Sequence, residues 1–246
     1  MDSVVSQKYW NDVCENIAMV YKPHNIELKE VFDRHLKRGG TCFEVGSYPG
    51  RYLIYLSKRF GYSVSGIDAT PLVLSLMPEH LKSHDVKVDN LYHGDFMTSN
   101  FKYKYDVVFS FGFIEHFLNL EEVIEKHVEI VKDDGILILA CPNYRKIHYI
   151  LRRILDPADL RRHVLDTMDL SIWKQILDKN GMEILEQGYY RTADFWVNTP
   201  IDNLFTKLAS KYVERIAKAI DKRIKFPNKL LSPFLYSVTR KLSKCQ

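Results

Sequence analysis

The feature that most constrains this 246-residue chain is residues 41–50 (TCFEVGSYPG), followed by a second apolar run that ends at Asp68. The first run contains Glu44, and the glycines Gly46 and Gly50 precede a segment with helical spacing. Glycine lets the backbone turn tightly and approach a ligand, because it has no Cβ. An acid at the end of the second strand can accept both hydroxyl groups of a ribose. The pattern therefore predicts a strand, a glycine turn, a helix and a strand that together hold a nucleoside.

The spacing of the glycines distinguishes two classes of nucleoside cofactor. A dinucleotide site has the pattern G-x-G-x-x-G, in which amides at a helix N-terminus face a pyrophosphate. Here the pattern is E-x-G-x-x-x-G, and the charge of Glu44 would repel a pyrophosphate. This pattern resembles the first motif of the class I S-adenosylmethionine (SAM) methyltransferases, whose cofactor carries a sulfonium and an ammonium group. The resemblance therefore favours SAM over NAD.

One position departs from the family pattern. The family commonly has a third glycine between these two, where this chain has Tyr48 and Pro49. We therefore expect a stiffer turn, with Tyr48 covering the cofactor.

Three further motifs follow in the order that the family has them. In residues 93–96 (HGDF) the family's acid bonds the adenine amino group, and the next apolar residue packs on the ring. Residues 105–117 resemble the fourth-strand motif with its E-H pair, and residues 134–142 predict a turn and a buried fifth strand. The resemblance implies SAM as cofactor and S-adenosylhomocysteine as product. The cofactor-binding residues that it implies are Glu44, Gly46, Tyr48, Gly50, Asp68, Asp95, Phe96 and Phe111.

The alternation of strands and helices predicts a parallel sheet covered on both faces. Residues 182–197 predict two more strands, similar to the antiparallel hairpin that closes this fold. The expected fold class is α/β: a Rossmann-like, doubly wound, mostly parallel seven-stranded sheet with helical extensions. The predicted strands lie near 41–46, 62–67, 87–93, 105–110 and 136–141, and the predicted helices near 26–38, 50–60, 71–82, 119–131 and 170–180.

Composition indicates one domain with extensions. The chain is 46% hydrophobic, which is enough for one large core, and no apolar run approaches the roughly 18 residues that cross a membrane. The four cysteines (14, 42, 141 and 245) are scattered without a C-x-x-C pair, which favours reduced thiols and a cytoplasmic protein. We expect cap helices in 1–40, a SAM-binding core in 41–200 with an insertion at about 142–165, and an extension in 201–246.

The insertion is basic and has apolar residues at helical spacing. One interpretation is a lid whose arginines grip an acidic acceptor. The other is a surface helix with a solvated basic face, and the sequence leaves both open. The acceptor-binding candidates are Tyr144, Arg152, Arg153, Arg161 and Arg162.

The extension accounts for the net positive charge of the chain. Residues 207–246 contain eleven Lys or Arg and two acids, so their formal charge is +9, against +4 for the whole chain. Apolar residues recur there every three or four positions. The segment is typical of a basic amphipathic helix that contacts an anionic membrane, or of a helix docked on the domain with solvated lysines.

His116 of the E-H pair is the first candidate for a catalytic base, since a histidine titrates near neutrality, and His163 in the insertion is the second. The alternative is that His116 only fixes its loop. The sequence after the fourth strand, Ser110-Phe-Gly-Phe113, lacks the N/D-P-P-Y/F motif of enzymes that methylate nucleobase amines or glutamine amides. We expect no metal, since no set of acidic ligands follows these strands.

The resemblance to sugar and other small-molecule O-methyltransferases implies O-methylation of a small hydroxylated acceptor, including a phosphorylated or lipid-linked glycan precursor of polysaccharide biosynthesis. No specific nucleic acid is expected as a partner. Two alternatives remain: an RNA or protein methyltransferase that uses the basic extension, and a non-catalytic SAM-fold binding module.

Overall fold

The computed structural model describes residues 3–200 and 203–243; Cys245 and the ends of the predicted cap and extension lie outside these ranges. Three short 3-10 turns, Pro23–Asn25, Ile114–His116 and Leu165–Thr167, connect the elements. The helices are α1 (Gln7–Glu15), α2 (Lys29–His35), α3 (Arg51–Phe60), α4 (Leu72–Ser75), α5 (Met77–Lys82), α6 (Leu120–Glu129), α7 (Ile147–Leu155), α8 (Pro157–Leu160), α9 (Leu170–Lys179) and α10 (Leu204–Arg223). The strands are β1 (Thr41–Val45), β2 (Ser63–Asp68), β3 (Val88–His93), β4 (Tyr105–Phe111), β5 (Val131–Pro142), β6 (Met182–Tyr190) and β7 (Phe234–Lys241).

The strands form one seven-stranded sheet in the order β3-β2-β1-β4-β5-β7-β6. The first five are parallel, and β7 pairs antiparallel with both β5 and β6. Helices α2, α3 and α5 pack on one face of the sheet, and α6 and α9 pack on the other. The chain leaves β1 toward β2 and β3 on one side and returns to β4 on the other. The strand order therefore reverses between β1 and β4. In open α/β sheets ligands bind at such a reversal, beyond the carboxyl ends of the strands. The expected fold class is confirmed.

The turn after β1 requires glycine at two positions, because Gly46 and Gly50 have φ of 74° and 89°. A third glycine, Gly66 in β2, lets the turn pack closely. A Cβ there would lie 2.6 Å from the Cβ of Ser47. Three glycines thus bring the turn, and Ser47 within it, against β2 at the sheet edge where a ligand binds.

The predicted closing hairpin is wrong in its second strand. Residues 182–190 form β6, but its partner β7 comes from residues 234–241, inside the predicted extension. Strand β7 lies between β5 and β6 and is buried on both faces: Leu235 is fully covered in the core on one face of the sheet and Val238 in the core on the other. The sequence analysis assigned these residues to a helical apolar stripe, whereas a strand covered on both faces is a continuous apolar run. The C-terminal region therefore completes the core of the domain.

A second predicted element is divided. The helix expected over 71–82 is two short helices, α4 and α5, and Pro78 lies in the first turn of α5. Proline has no N–H to donate and is tolerated only in the first turn of a helix, so α5 begins anew there.

Helix α10 packs on the domain through one apolar side. The residues of this side are Ala209, Val213, Ala217 and Ile220, and they form one hydrophobic cluster with Leu155 of α7 and with Phe195. Its other side is exposed. Among the described residues no helix is both long and apolar enough to cross a membrane.

The position of β7 makes a prediction about stability. Val238→Asp should lower the free energy of unfolding by at least about 3 kcal/mol, because it buries an unpaired charge in the centre of the sheet. Leu242→Asp, one residue beyond β7 and 54% exposed, is the control and should change it by about 0.5 kcal/mol or less. Urea denaturation measures both. Equal stabilities for the two variants would contradict the central position of β7.

Candidate active site

A cavity of about 300 Å³ lies at the carboxyl ends of β1, β2 and β4. Its walls come from the glycine turn, the ends of these strands, the loop after β3 and the face of α1. Six of the eight predicted cofactor-binding residues line it: Gly46, Tyr48, Asp68, Asp95, Phe96 and Phe111.

Asp68 is held rigidly at the end of β2. Its Oδ2 accepts the N–H of Tyr48 at 2.9 Å, and its Oδ1 accepts the N–H of Thr70 at 3.0 Å. Burial raises the pKa of this carboxyl group, while these two backbone bonds act in the opposite direction. Each oxygen retains a second lone pair, so the carboxylate can accept the two hydroxyl groups of a ribose.

Asp95 presents a buried oxygen that no described residue bonds. Its Oδ1 accepts the N–H of Met97 at 3.0 Å, but Oδ2 is buried without a hydrogen-bond partner. The adjacent Phe96 is buried and lines the cavity, edge-on to Phe113. An orphaned acceptor beside aromatic rings fits an adenine, which offers an amino group and a flat apolar surface. The residues present therefore fit the nucleoside part of SAM.

Two predicted residues lie behind the wall instead of on it. Gly50 packs against Met77 and Leu81 and supplies the conformation that starts α3. Glu44 is buried below the turn, where burial raises the pKa of its carboxyl group well above the usual range and the Arg51 guanidinium opposes that shift. Neither residue lines the cavity, so each shapes it through the backbone of the turn.

Helix α1 closes the cavity from above. The Gln7 side chain donates to the backbone carbonyl of Ala69 at 2.8 Å, and the Val4 N–H donates to the carbonyl of His116 at 2.8 Å. Trp10 packs edge-on against the His116 ring, 4.9 Å between centroids. Trp10, Val13 and Cys14 of α1 thus form part of the cavity wall.

A second cavity, of about 540 Å³, adjoins the first. Both are lined by Trp10, Val13, Phe111, Gly112 and His116, so the two share a wall at the end of β4. The second cavity also contains aromatic rings that the sequence analysis missed: Trp196 stacks on Phe234 at 5.2 Å. No local pattern announced this pair, because the two residues are far apart in sequence and meet only through β7.

The polar side chains nearest the shared wall are Glu115, His116 and His163. The Nε2 of His116 lies 3.8 Å from Oε1 of Glu115, and the two histidine rings are 4.7 Å apart. Burial, with His163 adding to it, lowers the pKa of His116 to about 3. Burial lowers the pKa of His163 to about 4 and raises the pKa of Glu115 to about 8. Both imidazoles are therefore neutral near pH 7 and keep a lone pair for a ligand.

The predicted acceptor-binding arginines have three different environments. Arg152 is fully buried, donates to Asp159 at 2.9 Å and lies over the Tyr144 ring, so it stabilises the insertion and does not face the cavity. Arg153 and Arg161 are exposed and also lie outside the cavity lining. Arg162 and Tyr144 do line the second cavity, and the Arg162 guanidinium lies over the ring of Tyr9. Charge alone did not separate these roles, because they depend on which face of a short helix meets the core.

Comparisons with known proteins identify the family of the chain. Residues 24–187 match the family model described as a methyltransferase domain. A protein of Methanocaldococcus jannaschii, "Uncharacterized protein MJ1252", is 22% identical over 88% of this chain and 92% of its own length. The ubiquinone biosynthesis O-methyltransferase of Pelagibacter ubique is 28% identical over 37% of this chain and 38% of its own length.

A solved structure shares the fold. The geranyl diphosphate C-methyltransferase of Streptomyces coelicolor A3(2), in complex with Mg²⁺, geranyl diphosphate and S-adenosylhomocysteine, has a TM-score of 0.60 and 12% identity, over 87% of this chain and 78% of that one. The family match covers well over half of the chain, and the cavity fits the nucleoside of SAM. The chain belongs to the methyltransferase domain family and is a SAM-dependent methyltransferase with a Rossmann-like fold.

Proposed function

We propose that this methyltransferase transfers the methyl group to an oxygen of a small hydroxylated acceptor, such as a sugar. The observation that carries the proposal is the wall shared by the two cavities at Phe111, Gly112 and His116. It lets an acceptor in the larger cavity meet a methyl group presented from the smaller one. In this proposal Asp68 binds the ribose, Asp95 the adenine amino group, and Tyr48 covers the cofactor.

The charges around the larger cavity favour a neutral acceptor over a phosphorylated one. Four ion pairs line it: Arg51 with Glu27, Arg162 with Asp159, Arg191 with Asp194, and Lys218 with Glu214. Each basic group already faces a carboxylate, so none offers an unopposed charge to a phosphate. The same groups provide alternating donors and acceptors beside aromatic rings, which suits the hydroxyl groups and apolar faces of a sugar.

Two observations favour oxygen over nitrogen as the methylated atom. The segment after β4 lacks the N/D-P-P-Y/F motif, and the Pelagibacter relative is by name an O-methyltransferase. Neutral imidazoles near the methyl position also suit a hydroxyl group, which can donate a hydrogen bond to a free ring nitrogen.

When bound, SAM supplies an electrophilic methyl group on a sulfonium, and the protein supplies orientation and a dry site. In this proposal α1, which lines the cofactor cavity, limits the access of water to the bound cofactor. The Nδ1 of His116 lies 2.7 Å from the carbonyl oxygen of Arg162, which holds the tautomer with a proton on Nδ1. The lone pair on Nε2 is then free, toward Glu115 and the shared wall.

We further propose that α10 and α7 rest on an anionic membrane and that the acceptor is lipid-linked. Phe205 and Leu208 of α10 are 80% and 59% exposed, and Ile154 of the adjacent α7 is 69% exposed. Basic residues flank these side chains along the extension. The same helix α10 contributes Glu214 and Lys218 to the larger of the two cavities, which we call the acceptor cavity. A lipid surface on α10 would therefore lie beside the opening of the acceptor cavity.

Exposed apolar side chains also bear on the RNA alternative. Contacts to a phosphate backbone need basic groups but gain nothing from exposed Phe205 or Leu208. Insertion into a bilayer interface uses both the basic groups and the exposed apolar side chains. A non-catalytic module would have no use for the acceptor cavity or for the orphaned oxygen of Asp95.

The cofactor assignment predicts the effect of Asp68→Ala. This change should weaken SAM binding at least about tenfold, because hydrogen bonds to a charged group contribute about 1.5–3 kcal/mol each. Asp133→Ala is the matched control. It removes an exposed acid near the start of β5 and should leave SAM binding unchanged. Calorimetry measures both affinities. An unchanged affinity in Asp68→Ala would sink the ribose assignment.

Transfer of the methyl group to oxygen predicts both the products and the effect of His116→Ala. With labelled SAM and a panel of glycosides, phenols and amines, we expect methyl ethers and no methylated amines by mass spectrometry. His116→Ala should lower kcat about a hundredfold or more with SAM affinity nearly unchanged. The exposed His24→Ala should leave both values unchanged. N-methylated products would refute oxygen transfer, and unchanged kcat in His116→Ala would refute the role of that histidine.

The membrane proposal is tested with point variants, because truncating the extension would remove β7. The chain should sediment with phosphatidylglycerol vesicles and lose much of this binding in high salt. The double variant Phe205→Gln, Leu208→Gln should bind at least about tenfold more weakly, since each side chain loses about 1.5–3 kcal/mol of apolar burial. The control, Leu74→Gln with Leu76→Gln, changes two exposed leucines near α4. The proposal would be contradicted if the double variant still bound vesicles as the wild type does. It would also be contradicted if added RNA abolished vesicle binding by both the wild type and the double variant.

A further inference from the structure

Three ligand-bearing side chains converge at the wall shared by the two cavities. One ligand atom from each of Glu115, His116 and His163 lies within 4.8 Å of the others. Glu115 and His116 belong to the 3-10 turn after β4, and His163 comes from the segment after α8. The cluster therefore exists only because the insertion folds back over the end of the sheet, where the Val164 N–H donates to the Glu115 carbonyl at 2.8 Å.

The hydrogen bonds of the two histidines leave the same atom free on each ring. The Nδ1 of His116 lies 2.7 Å from the carbonyl oxygen of Arg162, and the Nδ1 of His163 lies 2.8 Å from that of Asp159. A carbonyl oxygen can only accept, so both Nδ1 atoms carry the proton and both Nε2 atoms carry a lone pair. Metal-binding histidines are commonly oriented in this way, with the second nitrogen donating to a carbonyl or carboxylate.

Glu115 provides a second, independent observation. Its side chain is fully buried and lines the acceptor cavity, yet neither carboxyl oxygen has a hydrogen-bond partner among the described residues. A buried carboxyl group without a partner is costly and calls for a cation or a donor. The nearest basic atom with a contact to it is Nε2 of His116, at 3.8 Å, too far for a hydrogen bond.

We infer that Glu115, His116 and His163 form a binding site for a divalent transition-metal cation of the Zn²⁺ or Fe²⁺ class. Two imidazole nitrogens and one carboxylate oxygen are a ligand set that such cations accept, and three protein ligands leave coordination positions open. The open positions would face the acceptor cavity, which all three residues line. The cation would also satisfy the orphaned carboxyl group of Glu115.

From the sequence alone we expected no metal site. That expectation rested on the search for acidic residues at the ends of the strands. Here the ligands are a consecutive Glu-His pair and a distant histidine, and no spacing in the sequence connects His163 with His116.

A role in catalysis rests on the proposed function. A bound cation would hold the oxygen of an acceptor hydroxyl in an open position beside the methyl site and lower the pKa of that hydroxyl. In this case Nε2 of His116 binds the cation and does not accept the hydroxyl proton, which leaves to solvent through the acceptor cavity as the methyl group passes from the sulfonium to the oxygen.

The test titrates the chelator-treated full chain with Co²⁺, whose visible spectrum reports nitrogen ligation, and with Zn²⁺ by calorimetry. We expect one equivalent of Co²⁺ to give visible bands. His163→Ala and the isosteric Glu115→Gln should each weaken binding at least about 100-fold. Neither residue lines the cofactor cavity, so both variants should bind SAM like the wild type, which shows that they are folded.

His84→Ala is the control for adventitious binding, because the rings of His80 and His84 contact each other at 5.0 Å on the partly exposed face of α5 and its C-terminal end. It should leave the Co²⁺ spectrum unchanged. A wild type that binds SAM but gives no Co²⁺ spectrum would overturn the metal site and leave the proposed function standing. Binding that survives Glu115→Gln and His163→Ala but is lost in His84→Ala would assign the metal to the surface pair and equally overturn it.

Discussion

The reversal of the strand order between β1 and β4 determines where this protein can bind ligands. Because these neighbouring strands are parallel, their carboxyl ends open at the same edge, and the connections leave them in opposite directions. The glycine turn after β1 forms one side of the resulting crevice, and the loop with Glu115 and His116 forms the other. The first cavity and the wall shared by the two cavities lie at this crevice, whereas the second cavity also needs the insertion, α10 and β7.

The sequence predicted those parts of the site that depend on local chain geometry. Asp68 directly follows one predicted strand and Asp95 lies two residues beyond another, so the period of the apolar residues was enough to bring them to the same edge. The sequence did not predict contacts made across long separations. The partner of β6 was placed in the next few residues, but β7 comes from the end of the chain, and the stacking of Trp196 on Phe234 depends on it.

Charge patterns were the least reliable guide, because a basic residue can serve the fold, the solvent or a ligand. Arg152 illustrates the first case: its guanidinium is buried between aromatic rings and paired with Asp159. Removing one partner of such a pair costs about 3–5 kcal/mol, since the remaining charge is left uncompensated. The arginines that reach the acceptor cavity are themselves opposed by carboxylates, which is why the account favours a neutral acceptor.

The central claim is that the crevice beside Asp68 holds SAM and not a dinucleotide. Calorimetric titration of the full chain with SAM and, separately, with NAD tests this most directly. We expect binding of SAM to one site per chain and no heat of binding from NAD under the same conditions. Saturable binding of NAD without binding of SAM would contradict it.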